Sequence, residues 1–278
     1  MKRVLSVQDI SCLGKCSLTV ALPIISAMGV ETAVIPTAVL STHTAFKGFT
    51  FRDLTDDIKP IEAHWEKEKI AFDAIYTGYL GSKEQIEIVS DLFERFGSRD
   101  NIILVDPAMA DNGEMYKGFT PEFAKNMAKL CGKADVIVPN LTEASYMLGI
   151  PFAGENYDEA YIKRVLKQLT ELGAKTAVLT GVSLETGKLG AAGYDSVHNN
   201  YFSYYNEKLP VNFHGTGDIF ASAMCGALVR GLDLEDSAKL AVDYTLEAMK
   251  ETLKDKNYNW YGVNFESAIP MLVKRING

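Results

Sequence analysis

His214-Gly215-Thr216-Gly217-Asp218 joins within one turn the two parts that a phosphoryl-transfer site needs. Small residues leave backbone N–H groups open to an anion. The apolar run Ile219-Phe220-Ala221-Ser222-Ala223-Met224 then reads as a buried helix whose positive end faces that anion. Asp218 adds a carboxylate at the same point, suited to accept a proton from a substrate hydroxyl as its oxygen attacks phosphorus. Glycines before a helix also serve simply to make the turn, and an aspartate there simply to cap it, so the rest of the chain has to decide.

Asp106, Asp111, Asn140 and Glu143 carry hard oxygen ligands of the kind that suit magnesium, held partly through water beside nucleotide phosphates. Asn140 with Glu143 three residues on is equally the pattern of a capped helix, and the two roles can coexist. Asp106-Pro107 also suits a turn, as does Asp111-Asn112-Gly113. The polar stretch 111–118 reads in addition as a lid over bound nucleotide. The region 37–51 offers His43, Thr44, Phe46, Phe49 and Phe51, a mixture fit for a flat heteroaromatic ring, although core packing explains the phenylalanines equally well. Tyr79, flanked by Gly78 and Gly81, is expected to point into a cleft. His214 reads as a local structural residue, with Asp218 the better base.

The elements that must position these residues alternate. Strand patterns at 2–8, 31–37, 73–77, 101–105, 134–138 and 175–180 are mostly separated by helical ones, such as 16–28 (kinked or broken by Pro23), 83–96 and 158–172. That rhythm predicts a mostly parallel sheet covered on both faces, a three-layer α/β/α fold in one domain, 1–278. Residues 189–205, with Asp195-Ser196 between two runs, predict an antiparallel edge hairpin. Helices are expected at 216–230, 234–256 and 264–276. In open α/β sheets ligands lie beyond the carboxyl ends of the strands, and the candidates fall there: Asp9, Thr44, Tyr79, Asp106, Asn140 and Thr180 each follow a strand pattern.

Composition narrows the function classes. At 278 residues with 47% hydrophobic residues the chain can bury a substantial core. A formal net charge of -8, without clustered Lys and Arg, argues against a nucleic-acid surface. No apolar run approaches the length of a bilayer span, and the first residues lead into a strand, not a signal peptide. The four cysteines, Cys12, Cys16, Cys131 and Cys225, are too few and scattered for a disulfide scaffold, which points to the cytoplasm. The expected partner is a small molecule.

The order and spacing of Ser6-Val7-Gln8, Ser41-Thr42-His43-Thr44, Thr77-Gly78-Tyr79-Leu80-Gly81-Ser82, Asp106-Pro107-Ala108-Met109, Pro139-Asn140-Leu141-Thr142-Glu143 and Gly215-Thr216-Gly217-Asp218 resemble the ribokinase superfamily over nearly the whole chain. Within it they resemble the pyridoxal/pyridoxamine kinases of vitamin B6 salvage. The resemblance implies ATP-dependent phosphorylation of the 5′-hydroxyl of pyridoxal, pyridoxamine or pyridoxine. Asp218 would be the base, and the N–H groups of Gly215, Thr216 and Gly217 the anion hole. Asp106, Asn140 and Glu143 match the family's cation and phosphate environment, with Asp106 and Glu143 toward Mg2+. Thr180 matches its nucleotide-side turn, and Thr44 and Tyr79 its ring-contacting positions. Members are commonly homodimers and often use a monovalent cation such as K+. One departure concerns the substrate: where the family usually has a serine against the pyridine ring, this chain has Asp9, which would pair with a protonated ring nitrogen or the pyridoxamine ammonium.

Two other functions compete. Hydroxymethylpyrimidine kinases of thiamine synthesis share the fold and the Gly-rich turn. They typically carry Gly-Gly-Ala-Gly after strand one and often a cysteine at the base position, where this chain has Ser11-Cys12-Leu13-Gly14-Lys15 and Asp218. A vitamer- or nucleotide-binding protein without turnover belongs to a different class, and a fold alone does not exclude it.

Overall fold

The first apolar run forms β1 (Arg3–Ser11) in the computed structural model, which describes residues 1–278. It is followed by α1 (Leu18–Ala27), β2 (Glu31–Leu40), β3 (Phe51–Asp53), α2 (Thr55–Lys67) and β4 (Ala74–Thr77). β1 pairs in parallel with β2 and β4, and β3 lies antiparallel on β2. β1 is buried almost throughout, as a strand flanked on both sides should be, but beside the apolar Val4, Leu5 and Val7 it buries the polar Ser6, Gln8, Asp9 and Ser11.

Several boundaries differ from the sequence patterns. β2 continues past residue 37 to Leu40, giving Ile10 and Ser11 the partners Val39 and Leu40, so Asp9 lies inside β1 and not after it. Pro36 sits opposite Gln8 without an N–H to donate. The register slips there: Gln8 to Ile10 spans two residues while Pro36 to Val39 spans three. α1 starts at Leu18 and runs through Pro23 without a break. Its buried Leu18, Val20, Ile24 and Ile25, at about 1.5–3 kcal/mol each, outweigh the roughly 3 kcal/mol cost of a mid-helix proline.

The chain then forms α3 (Lys83–Phe96), β5 (Ile102–Val105), a ribbon of β6 (Ala110–Asp111) and β7 (Glu114–Met115), α4 (Pro121–Cys131), β8 (Val136–Ile137), α5 (Leu141–Leu148), α6 (Glu159–Glu171), β9 (Thr176–Val182), β10 (Lys188–Asp195) and β11 (Asn200–Glu207). β5, β8 and β9 are parallel neighbours, and β10 and β11 continue antiparallel as the edge hairpin. β9 extends to Val182, so Thr180 and Gly181 lie within it. Its last residues pair with the start of β10, where Gly190 faces Val182.

The closing elements are α7 (Thr216–Val229), α8 (Leu234–Lys254), a 3-10 turn (Phe265–Ala268) and α9 (Ile269–Asn277). The last pattern, 264–276, is thus a tight turn running into a helix. α7 is apolar all round and buried from Ile219 to Ala227, the mark of a helix enclosed by others. It packs on α1 and α8. A Cβ on Gly226 would stand 2.3 Å from Met28 Sδ, so a larger residue there would displace the Met28 side chain.

Residue contacts gather into two compact units, Met1–Gly78 with Leu209–Gly278, and Tyr79–Lys208. The strand order is β4-β1-β2-β3 in the first and β11-β10-β9-β8-β5 in the second. The fold is the mixed, mostly parallel sheet with helices on both sides and an antiparallel hairpin that the alternation predicts.

Candidate active site

Five helices begin with a side-chain cap, from Ser82, Thr120, Asn140, Asp158 and Asp233. α7 does not: its N-cap is Gly215, at φ 81°, with no side chain to satisfy the first N–H groups. Those groups and the helix dipole favour an anion at the start of α7, a feature shared in part by α1, α2 and α9, which also begin without a side-chain cap. Gly215 is required sterically as well, because a Cβ there would stand 2.2 Å from the Lys15 carbonyl oxygen. A Cβ on Gly217 would meet nothing within 4 Å, so the space before the helix is open on that side.

Asp218 lies in the first turn of α7, with the Ser17 backbone near its carboxyl. The residue is partly open to solvent, yet its carboxyl is enclosed by protein. Burial pushes its pKa up to about 7; the Ser17 backbone opposes that rise and the charge of Asp9 adds to it. A carboxylate poised near neutrality is what a general base for an alcohol needs. Asp9 is 4% exposed and accepts from the Ser11 hydroxyl at 3.0 Å. Burial raises its pKa too. The Cys16 thiol, near both carboxylates, is pushed up by burial first and then by Asp218 and Asp9, so it stays protonated. Sequence reasoning had no signal for Ser17, whose part is played by its backbone at φ 51°.

Thr44 is exposed in the turn after β2. Beside it, His43 is clamped: its Nε2 stands 3.0 Å from the Tyr261 carbonyl, while the Ala45 N–H donates to Nδ1 at 3.2 Å. The carbonyl can only accept, so Nε2 carries the proton and the ring is neutral; burial lowers its pKa. Phe46 packs on His43, Trp260 and Tyr261 at ring separations of 5.0, 4.6 and 5.5 Å. His214 joins the cluster, its ring 5.2 Å from that of His43. Trp260 remains 55% exposed. The clue to this cluster was the aromatic, Asn-rich stretch 257–262 between two helical patterns.

In the second unit, Asn140 and Glu143 form a full capping box. The Glu143 N–H donates to Asn140 Oδ1 at 2.9 Å, and the Asn140 N–H to Glu143 Oε2 at 2.8 Å. Glu143 also accepts from the Met109 N–H at 3.1 Å, and Asn140 donates to the Ala110 carbonyl at 2.8 Å. The pair therefore fixes the chain leaving β5. Burial, then the charge of Asp106, holds the Glu143 carboxyl well above the usual range. Asp106 is buried close by. Thr180 pairs with Asn140 in a single parallel bridge, its N–H donating to the Pro139 carbonyl at 3.0 Å. Tyr79 packs its ring 5.5 Å from Phe119.

No three His, Cys, Asp or Glu side chains gather into a metal cage. Magnesium that retains several waters takes one or two carboxylates; Asp106 and Glu143 are two neighbouring buried carboxyls, and both Glu143 oxygens already accept backbone N–H groups. Asn112 and Gly113 both have positive φ, the hairpin turn that Asn-Gly favours. The Gly113 N–H donates to Thr142 Oγ1 at 3.0 Å and the Tyr146 hydroxyl to the Gly113 carbonyl at 3.2 Å, so the tip of segment 111–118 is docked on α5.

An alternating α/β fold with an uncapped helix start and an adjacent carboxylate has the parts that phosphoryl transfer to an alcohol needs. Residues 22–261 match the phosphomethylpyrimidine kinase family, and the chain belongs to it. It is 25% identical over 266 residues to a pyridoxal kinase of Arabidopsis thaliana, covering 91% of this chain and 83% of the relative. It is 27% identical over 240 residues to a hydroxymethylpyrimidine/phosphomethylpyrimidine kinase of Rhizobium meliloti, covering 83% and 84%. A Bacteroides thetaiotaomicron structure, described as a phosphomethylpyrimidine kinase and crystallised with pyridoxal, superposes with a TM-score of 0.92 at 39% identity, covering 98% of this chain and 95% of that one. The resemblance to ribokinase-like vitamin B6 kinases is borne out. The chain is an ATP-dependent small-molecule kinase of pyridoxal kinase or hydroxymethylpyrimidine kinase type.

Proposed function

We propose that the protein phosphorylates the 5′-hydroxyl of B6 vitamers. The observation that carries this reading is the enclosed Asp218 carboxyl in the first turn of α7, whose start no side chain caps. Asp218 takes the proton of the hydroxymethyl group as its oxygen bonds to the γ-phosphorus of ATP. The bond from that phosphorus to the bridging oxygen breaks, and ADP leaves. The N–H groups of Gly215, Thr216 and Gly217 hold the migrating phosphoryl, whose charge strengthens those bonds. Asp106, Asn140, Glu143 and Thr180 form the nucleotide environment. Mg2+ at Asp106 and Glu143 would neutralise phosphate charge, with a monovalent cation such as K+ as a further requirement. Thr44, Tyr79 and Asp9 contact the ring. We further propose a cytoplasmic homodimer acting as one functional domain, 1–278.

The pyridoxal in the 39% identical structure favours B6 over hydroxymethylpyrimidine, and the family and the Rhizobium relative keep the latter as the second reading. A panel of pyridoxal, pyridoxamine, pyridoxine, hydroxymethylpyrimidine and ribose with Mg-ATP separates them. The highest kcat/KM is expected on a B6 vitamer. A preference for hydroxymethylpyrimidine would reverse the assignment, and ligand binding without any phosphorylated product would favour a non-catalytic binding protein.

Asp9→Ser is expected to shift the pyridoxamine to pyridoxal ratio of kcat/KM, because a carboxylate discriminates an ammonium from an aldehyde by charge. A ratio equal to the parent's would remove Asp9 from the ring site. Asn140→Ala should cost about 1 kcal/mol as a lost cap and release Ala110, and Glu143→Gln should raise the magnesium or ATP concentration needed for half-maximal rate. An unchanged requirement in both variants would leave these residues as a cap alone.

A further inference from the structure

We propose that Lys15 is a positioning residue for phosphoryl transfer: it clasps the loop 12–17 to the C-terminal segment 262–266, and so holds Ser17 against Asp218 and its own carbonyl against Gly215. The inference rests on reading Asp218 as the base.

The loop is backbone-strained. Gly14, Lys15 and Ser17 have φ of 149°, 51° and 51°, and two of the three are not glycine. Such conformations persist only where the surroundings impose them, and they concentrate at functional sites. The imposing contact is on the far side of the chain. Lys15 Nζ lies 2.9 Å from Glu266 Oε2 and 3.0 Å from Asn264 Oδ1, and 5.8 Å above the Phe265 ring. A Cβ on Gly262 would stand 2.6 Å from Lys15 Cβ, so the stem is seated as closely as its head.

The anchor is itself fixed. The Asn264 N–H donates to Thr252 Oγ1 at 2.7 Å, and the Tyr244 hydroxyl to the Phe265 carbonyl at 3.1 Å, both on α8. Glu266 is 53% exposed, so the ion pair contributes little to stability and its value is geometric. From Lys15 the chain reaches the chemistry directly. Its carbonyl abuts Gly215 at the start of α7, and two residues on the Ser17 backbone lies near enough to Asp218 to favour its ionised form.

The Ser17 backbone favours the ionised form of Asp218, so a loosened clasp should raise the pKa of the base. The titratable groups facing Asp218 are Asp9 from β1 and Cys16 from the loop. Neither is altered by the variants below.

Lys15→Met, Lys15→Arg and Glu266→Gln are compared with the parent by the pH profile of kcat. Asp218 is also titrated by carbon NMR, its signal assigned by its loss in Asp218→Asn. In Lys15→Met we expect kcat to fall about ten- to a hundredfold, with the ATP KM within about twofold. Both midpoints should move up by about half a unit or more, and Lys15→Arg should restore most of the loss. Glu266→Gln alters an exposed side chain and keeps the fold. Electrostatics alone, the loss of a negative charge, would move the midpoint down; a loosened clasp moves it up. A parental kcat and midpoint in Lys15→Met, or a downward shift in Glu266→Gln, overturns the proposal. Should the parent phosphorylate no substrate, the kinase reading falls, while the NMR midpoints still judge the clasp.

Discussion

Asp218→Asn is expected to bind ATP nearly normally yet lose two or more orders of magnitude in kcat, the roughly 10²–10⁴-fold effect of removing a general base. In the parent, kcat/KM should decline as pH falls through about 7, because the protonated carboxyl can no longer accept the hydroxyl proton. The same substitution should stabilise the fold. A carboxyl raised from 3.8 to about 7 contributes stability in full below pH 3.8, and that contribution is lost as pH rises to 7. About three units at roughly 1.4 kcal/mol each set an upper bound of about 4 kcal/mol. Partial access of solvent to Asp218 reduces that to about 1–3 kcal/mol. Denaturant unfolding at pH 8 and pH 4 reads it directly: the variant gains at pH 8 and not at pH 4. Turnover near the parental rate, or no gain at pH 8, would remove Asp218 from its role.

Gly215→Ala and Gly217→Ala should separate shape from chemistry within one turn. Gly215 has a left-handed backbone and faces the Lys15 carbonyl at 2.2 Å from its would-be Cβ, so alanine costs about 1–2 kcal/mol for the conformation and about 1–3 more for the displaced backbone. The cradle moves with it, and activity is lost alongside stability. Gly217 is exposed, with open space around it. Alanine there should hold or raise stability by about 0.5–1 kcal/mol through helix propensity. Its methyl, tilted toward the helix start, projects into the proposed phosphoryl position and should lower kcat about tenfold or more. A thermal melt and a single rate measurement on each variant suffice. A destabilised Gly217→Ala, or one with full activity, would contradict the open cradle.

The parts of the site legible in the chain are those made by local rules. The uncapped Gly-Thr-Gly-Asp start of α7, the Asn140–Glu143 box and the Asn112-Gly113 turn each depend on residues within one turn of one another. Sequence spacing translates directly into geometry there. The alternation of strands and helices was legible for the same reason. Boundaries failed where a neighbouring strand or a helix face decided them: β1 extends over Asp9 because β2 runs on to Leu40, and α1 tolerates Pro23 because its apolar face is buried.

What only the tertiary structure decided is how distant segments meet. Lys15 and Glu266 are 251 positions apart, His43 and Tyr261 218, and nothing in residue type announces either contact. The environment of Asp218 is of the same kind. Its carboxylate could be read from the chain, but its pKa comes from burial, from the backbone of Ser17 and from the charge of Asp9, three influences set by the packing of β1, the following loop and α7. Chemistry that resides in a side chain is written in the sequence; the free energy of its ionisation depends on which atoms displace water around it, and that is fixed only when the chain has folded.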